Sequence, residues 1–329
     1  MTYTAVRELI EENAMAERPT LWSRLRNGVS SIFATELPEP TTLEETINEQ
    51  IASEKAKFTL TDDDITTFCV AIGDNNPIHR SDKYAKDYLA TETKKVEKKI
   101  ASGTHLNALA EAYLSEAIKA INDVWGVHLQ LGGEDIKFKE YVHPGNQVYW
   151  QVIDCKETAN GANLEIEGRI GSKTGALAVE LKADLVRDIQ KLVQRTLKPT
   201  WRNDYVFTKN QLEFFYSCIG EKPKREVPLA YLVAFMTVSM LDRSLGIERV
   251  PEGVNREMKF SFYKRAQFGN LDGNQDYGHV DVEFFLREVK DLTTKGMGYK
   301  YTLDALCLQT HEPLVTGTLV ALTKNKIKL

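Results

Sequence analysis

Hydrophobic positions along the chain change from helical spacing to alternation, and this order then begins again. Apolar residues at helical spacing predict a capped helix over Thr61–Gly73 and a long, largely buried helix opening at Ile100. Four segments between Asp135 and Val186 alternate apolar and polar residues, which predicts antiparallel strands. A short strand is expected at Lys57–Leu60. The pattern predicts an α+β fold in which helices precede an antiparallel sheet.

The second part of the chain repeats this order after a predicted connection at Arg187–Asp204. At one constant offset, three residues of the first copy recur in the second: Phe68, Ile72 and Gly73 match Phe215, Ile219 and Gly220. The apolar run Val227–Leu241 takes the place of the long helix, and alternating strands close the unit. That run is shorter than the roughly 20 residues of a membrane-spanning helix, so we expect a helix buried in protein. Two copies indicate a duplicated fold.

Three segments follow from this pattern. Residues 1–50 are predicted to form a helical extension, because Trp22, Leu25, Val29 and Phe33 fall at helical spacing. That helix docks on the body of the protein, or it binds a partner or a membrane surface. Residues 51–190 form the first copy, and residues 191–329 form the second.

Composition narrows the function classes. The chain has 329 residues, 42% of them hydrophobic, so it can bury a sizeable core. A net charge of −5 without a strong basic block argues against nucleic acid as a partner. The four cysteines stand singly, which predicts a reduced cytoplasmic chain. Glu8, Glu11 and Glu12 interrupt the apolar core that a signal peptide would need, and no transmembrane segment is predicted.

The candidate chemistry lies in the segment IGDNNPIH, Ile72–His79. It combines a carboxylate, Asp74, with an imidazole, His79, across a turn that contains Asn76 and Pro77. Such residues also favour a turn for purely structural reasons. The second copy, however, has Glu221 in place of Asp74 and no histidine from there to His279. The difference indicates that the first copy carries the chemistry.

A second feature lies where the long helix begins. The segment Ile100–Gly103 is apolar and ends in glycine. A backbone N–H group at a helix N-terminus can polarise a carbonyl oxygen. Gly103 is therefore a candidate for stabilising negative charge on a substrate.

These residues together resemble a known family. The pattern G-D-x-N-P-x-H at Gly73–His79, followed by Ile100, Ala101 and Gly103, is similar to the MaoC-like or hydratase 2 group of hot-dog proteins. The resemblance implies a double hot-dog, in which two antiparallel sheets each wrap a long central helix. It also implies reversible, R-specific addition of water to a trans-2-enoyl thioester. Coenzyme A or acyl carrier protein would carry the acyl group, and no other cofactor is expected.

The resemblance assigns roles to the site residues. Asp74 and His79 hold the water and exchange its proton, and the Gly103 N–H stabilises the enolate-like oxygen. The residues expected to support the loop are Asn76, Pro77 and Ser102. His105, on the same helix, is either a packed residue or a second base.

Substrate contacts are predicted in two places. One is a lysine-rich stretch that forms either a solvated face or a cationic rim for an anionic carrier: Lys94, Lys95, Lys98 and Lys99. The other is an apolar acyl channel in the second copy, which would favour longer acyl chains: Tyr231, Phe235 and Met236. His128, His143, His279 and His311 are too scattered to predict a metal site.

Two other functions remain open. A hot-dog thioesterase also needs a carboxylate and a polarising helix terminus, and an acyl-binding or scaffold protein needs neither. The pattern leaves open a homodimer and a partner protein bound by the N-terminal helices. Acyl length, carrier and pathway do not follow from the sequence.

Overall fold

A computed structural model describes most of the chain. The described residues are 42–51, 53–90, 95–189, 198–224, 227–245, 253–264, 266, 277–295, 298–324 and 326. The predicted helix at Trp22–Phe33 and Lys94 lie outside these residues. The elements below belong to the compact unit Leu43–Leu329.

The first half contains helices followed by four long strands. Its elements are α1 (Leu43–Gln50), α2 (Ser53–Ala56), β1 (Lys57–Thr59), α3 (Asp62–Ile72), a 3₁₀ turn (Pro77–His79), α4 (Asp82–Leu89), α5 (Gly103–Trp125), β2 (Gln130–Phe138), β3 (Gln147–Thr158), β4 (Gly161–Ile170) and β5 (Ala176–Val186).

The second half repeats the order with fewer helices. Its elements are β6 (Trp201–Thr208), α6 (Lys209–Cys218), α7 (Leu229–Leu245), β7 (Val254–Phe262), β8 (Tyr277–Asp291), a 3₁₀ turn (Thr293–Lys295), β9 (Tyr299–Gln309) and β10 (Glu312–Thr323).

The helices α3 and α6 begin and end alike, as the sequence repeat predicts. Thr61 and Thr208 each cap their helix through a capping box. Beyond the other end of each helix, Gly73 and Gly220 adopt left-handed backbone conformations, with φ of 73° and 66°. Only glycine adopts such a conformation without strain, so the two copies share a turn in which the chain leaves the helix.

One antiparallel sheet joins the two halves. Its ten strands have the order β1-β3-β4-β5-β2-β7-β10-β9-β8-β6. The halves meet where β2 pairs with β7, in the register that places Ile136 opposite Met258. These two residues begin similar segments of the two copies, IKF at Ile136–Phe138 and MKF at Met258–Phe260, so an approximate twofold axis passes between them. We refer to the β2–β7 pairing as the seam.

The long helices α5 and α7 pack on the sheet and on each other. Leu106, Leu109 and Tyr113 of α5 are buried, as their helical spacing predicts. Three alternating residues of β8 were expected to face the core or the seam: Val282 and Phe284 are fully buried, and Leu286 packs against the core while partly buried. Within the described ranges, no helix combines the length and apolar character that crossing a membrane requires.

The connection between the halves is shorter than the sequence pattern indicates. Residues Trp201–Asp204, predicted to belong to the connection, begin strand β6, which pairs with β8. Trp201 and Phe207 are buried while Arg202 and Asp204 are exposed. Because a strand at the sheet edge can carry charged residues on its outer face, its polar residues resemble those of a linker.

A buried carboxyl group lies beside the seam. Glu134 of β2 is 2% exposed, and Asn107 of α5 donates a hydrogen bond of 3.4 Å to its Oε1 atom. Burial, with the nearby charge of Glu111, raises the pKa of Glu134 to about 8. The folded protein therefore holds a proton on Glu134 at a pH at which the unfolded chain has lost it.

This raised pKa predicts that the seam weakens as pH rises. Above the ordinary carboxyl pKa, Glu134 binds fewer protons in the unfolded state than in the folded state, so its contribution to stability falls between about pH 4.5 and pH 8. Glu134→Gln removes this proton and keeps an acceptor for Asn107. We expect the melting temperature of the variant, relative to wild type, to rise from pH 5 to pH 8. A constant difference across that range would contradict the buried protonated acid.

Candidate active site

The turn after α3 brings a carboxylate and an imidazole to one place. Once Gly73 has ended the helix, the Asp74 N–H donates to Cys69 O at 2.8 Å, and Asp74 Oδ1 accepts from the Asn76 N–H at 2.9 Å. Pro77 then begins the 3₁₀ turn whose last residue is His79. Asp74 and His79 are 4% and 5% exposed, so the turn holds both side chains away from bulk water.

The orientation of the His79 ring follows from its partner. Nδ1 lies 2.8 Å from the carbonyl oxygen of Ile100, which can only accept a hydrogen bond. Nδ1 therefore carries the proton, and in the neutral ring Nε2 has a free lone pair. Nε2 lies 3.8 Å from Asp74 Oδ2, too far for a direct hydrogen bond. The two atoms are close enough to contact one water molecule between them.

Helix α5 begins in the same pocket. Ser102 caps the helix by accepting a 3.1 Å hydrogen bond from the His105 N–H, and Gly103 is the first helical residue. The first N–H groups of a helix have no acceptor within it and attract negative charge. A Cβ atom at position 103 would lie 3.0 Å from Phe138 Cε2, so glycine permits the close packing of α5 on β2.

A narrow pocket joins these groups, and both halves of the chain form its walls. Its water-accessible volume is about 30 Å³, enough for a water molecule. Residues of the first half that line it are Asp74, His79, Ile100, Ala101, Ser102, Gly103, Thr104, Leu106, Phe138, Glu140, Tyr141 and Val142. The second half contributes Gly253, Val254, Asn255 and Arg256.

The second half also holds the turn with Asp74 and His79 in place. The side-chain amide of Asn76, fully buried, donates to the carbonyl oxygen of Gly253 at 2.9 Å. Asn76 Oδ1 accepts from the Ile78 N–H at 3.3 Å. A single asparagine thus joins the turn to the segment before β7, consistent with its predicted supporting role. Pro77 begins the 3₁₀ turn and Ser102 caps α5, and their role in supporting the loop stays a prediction.

Sequence reasoning did not find the residues that the second half brings to the pocket. Arg256 lies over the ring of Tyr141, with 5.8 Å between the guanidinium carbon and the ring centroid. Asn255 also lines the pocket, and its Oδ1 atom is buried without a hydrogen-bond partner among the described residues. These contacts depend on the register of the seam, and no local sequence motif predicts them.

The lysine-rich stretch does not act as one exposed surface. Lys95 and Lys98 are exposed. Lys99 is 4% exposed, and its ammonium group binds Asp62 Oδ2 at 2.7 Å and Thr66 Oγ1 at 2.9 Å. The prediction that Lys99 belongs to a cationic rim is therefore wrong, because its charge is already paired against α3.

The predicted acyl channel is also filled by protein. The ring centroids of Tyr231 and Phe235 lie 4.5 Å apart, and Phe235 stacks on Tyr205. Met236 is fully buried, and its neighbour Thr237 lies against Met258. Tyr231, Phe235 and Met236 thus pack in the core of the second half and do not line the pocket of Asp74 and His79.

His105 is a packed residue rather than a base facing the pocket. Its ring stacks on Phe68 with 4.1 Å between centroids and 4° between planes. Burial lowers the pKa of His105 to about 3, so the ring is neutral.

The corresponding position in the second half has different chemistry. The Glu221 N–H donates to Tyr216 O, as Asp74 does to Cys69, so the backbone turn is retained. The Glu221 carboxylate instead pairs with Lys55 and Lys224. At the start of α7, the Leu229 N–H donates to Glu111 Oε1 at 3.0 Å. A carboxylate of the first half therefore occupies a helix N-terminus of the second.

Comparison with known proteins relates the first half of the chain to a family. The family model described as "MaoC like domain" matches residues 43–174. This part of the chain is similar to a MaoC-like domain. The matched residues include Asp74, His79 and Gly103. Among curated proteins, none matches the sequence.

Solved structures resemble the chain beyond the MaoC-like domain. A structure described as a MaoC-like dehydratase has a TM-score of 0.57 and 7% identity, and the likeness covers 83% of this chain and 98% of that one. A MaoC domain protein from Chloroflexus aurantiacus J-10-fl has a TM-score of 0.58 and 8% identity, with coverage of 81% and 92%. At these identities the likeness concerns the fold, which extends over both halves.

Proposed function

We propose that the protein adds water reversibly to trans-2-enoyl thioesters and forms (R)-3-hydroxyacyl thioesters. The observation that carries the proposal is the 3.8 Å separation of Asp74 Oδ2 and His79 Nε2 in a pocket that also contains the start of α5. The stereochemistry rests on the resemblance to hydratase 2 proteins. In this proposal the two halves are two hot-dog units, of which the first carries out the reaction.

The acid–base pair supplies the nucleophile and the proton. Water attacks the β-carbon only if a base removes its proton as the bond forms. His79 Nε2 is available as that base, since Nδ1 is committed to Ile100 O. Asp74 accepts a hydrogen bond from the same water and orients it. The protonated His79 then returns the proton that it took from water to the α-carbon, so the elements of water add across the double bond and the imidazole is neutral again.

The helix terminus stabilises the charge that develops on the substrate. As water adds, the thioester oxygen gains negative charge and resembles an enolate. The N–H of Gly103 belongs to the first helical residue of a 23-residue helix, where the dipole favours an anion. The thioester oxygen is proposed to bind there, with the β-carbon between Asp74 and His79.

Incubating the pure protein with trans-2-enoyl-CoAs of several lengths tests the proposal. Loss of the conjugated-thioester absorbance with formation of the (R)-alcohol supports it. Release of free thiol would instead indicate the thioesterase alternative, and substrate binding without turnover would indicate an acyl-binding protein. Assaying the same acyl groups on acyl carrier protein identifies the carrier.

The exposed lysines provide a further prediction. Lys95 and Lys98 precede Ile100, which lines the pocket, so they are placed to attract an anionic carrier. The double change Lys95→Glu and Lys98→Glu should raise KM at low salt. The effect should shrink near 0.1 M salt, where charges are screened over about 10 Å.

A matched control for charge is the pair Lys173→Glu and Lys290→Glu, exposed lysines that do not line the pocket. Equal kinetics for the two double variants at low salt would mean that Lys95 and Lys98 form a solvated face.

A further inference from the structure

Strands β6 and β8 bring two carboxylates and an imidazole together on the outer face of the sheet. Their register places Asp204 opposite Asp281 and Val206 opposite His279. A carboxylate oxygen of each aspartate and one ring nitrogen of His279 all lie within 4.8 Å of one another. Other strands form the walls of the pocket with Asp74 and His79, so this cluster is a separate feature.

The charges of the cluster do not balance. Two carboxylates directly opposite each other on neighbouring strands repel. Arg202 donates a hydrogen bond to Asp281 Oδ2, and its guanidinium lies 3.6 Å from Asp204 and 4.0 Å from Glu283. From the adjacent strand β9, Leu308 and Leu306 lie beside these carboxylates and add no charge. One guanidinium thus faces three carboxylates.

One oxygen atom of the cluster needs a partner. Asp281 is 6% exposed, and its Oδ1 has no hydrogen-bond donor among the described residues. A buried carboxylate oxygen without a partner is costly. His279 Nε2 lies 3.8 Å from Oδ1. Two bonds of about 2.1 Å to one metal ion span at most about 4.2 Å, so a single ion fits between these atoms.

We propose that Asp204, His279 and Asp281 bind a divalent metal ion of the zinc type. Carboxylate oxygen and imidazole nitrogen are ligands that zinc and neighbouring transition metals accept. Magnesium and calcium favour sites made of oxygen atoms, so the imidazole disfavours them. The ion neutralises the opposed aspartates and fastens β6, at the edge of the sheet, to β8. Water completes the coordination on the exposed side.

A proton shared by the two aspartates is the competing arrangement. A hydrogen bond with Asp281 raises the pKa of Asp204 above its usual value when no ion is bound. A metal ion would displace that proton. The two arrangements make opposite predictions about zinc, and the experiment separates them.

The full-length chain without an affinity tag is titrated with Zn²⁺ and, separately, with Co²⁺. We expect one ion per chain, visible absorption from the bound cobalt, and a higher melting temperature with zinc, because the ion binds the folded state. Loss of a residue that only orients a ligand costs about 10–100-fold in affinity, and loss of a ligand costs at least as much. His279→Gln and Asp281→Asn should each weaken zinc binding by at least tenfold.

The controls are Asp304→Asn, on the adjacent strand β9, and His128→Gln, an exposed histidine elsewhere. Both should bind zinc as wild type does. Circular dichroism checks that each variant is folded. Absence of zinc binding, or equal binding in His279→Gln and wild type, overturns the proposal. A melting temperature that rises in Asp204→Asn, while zinc leaves wild type unchanged, identifies the shared proton and also overturns it.

Discussion

Asp74→Asn and His79→Gln are each expected to lower kcat for enoyl-thioester hydration by about 10² or more. Each change keeps the size of the side chain and removes one acid–base group. Asparagine at position 74 can still accept from the Asn76 N–H, so the turn is retained. Glutamine at position 79 has no basic nitrogen that could take a proton from water. The fall should therefore appear in kcat with little change in melting temperature.

Glu221→Gln is the matched control, since Glu221 occupies the equivalent turn of the second half. Burial opposes its ionisation, but a hydrogen bond from Lys55 and the charge of Lys224 outweigh this and lower the pKa of Glu221. Its carboxylate is thus paired with Lys55 and Lys224 and does not line the pocket of Asp74 and His79. Activity should be near wild type. Equal losses of kcat in Glu221→Gln and Asp74→Asn would contradict the assignment of the reaction to the first half.

Local and repeated features of the fold could be predicted from the sequence. Alternation identified the strands because each has one buried face, and capping residues identified the start of α3. Repetition predicted a duplicated fold, and the structure adds that Ile136 and Met258, which begin similar segments of the two copies, lie opposite each other at the seam. The Asp74–His79 pair could be found from the sequence because one short turn contains both residues.

Features that depend on distant contacts could not be predicted. Lys99 belongs to a lysine-rich stretch, and only the packing of that stretch against α3 shows that Asp62 neutralises it. Asn255 and Arg256 enter the pocket through the register of the seam. The same limitation hid the cluster of Asp204, His279 and Asp281, because residues 201–204 resemble a linker and the histidine is distant in sequence.

The predicted acyl channel failed for a different reason. Apolar residues at helical spacing show which face of α7 avoids water, but they do not show what covers that face. Phe207, Phe215 and Tyr205 cover it, so Tyr231 and Phe235 contact protein rather than an acyl chain. The structure therefore gives no basis for the expected preference for longer acyl chains. Whether that preference exists is measured by the assay with enoyl-CoAs of several lengths.

Residues 1–200 produced alone are expected to be insoluble or to self-associate, and to lack hydratase activity. Without β7, strand β2 becomes an edge whose backbone groups and apolar side chains are exposed to other chains. The turn with Asp74 and His79 also loses the hydrogen bond from Asn76 to Gly253, and the pocket loses Asn255 and Arg256. Size-exclusion chromatography with light scattering measures the association, and the enoyl-CoA assay measures the activity.

Producing residues 1–200 together with residues 201–329 tests whether the missing second half causes both the self-association and the lack of activity. Because the seam is formed by backbone pairing of β2 with β7, the two fragments can reform it without a covalent link. We expect a soluble complex of one copy of each fragment with much of the activity of the intact chain. A monomeric and fully active 1–200 fragment would contradict a pocket built from both halves. A complex of one copy of each fragment that forms but stays inactive would show that the connection itself is needed to set the register on which Asn76 depends.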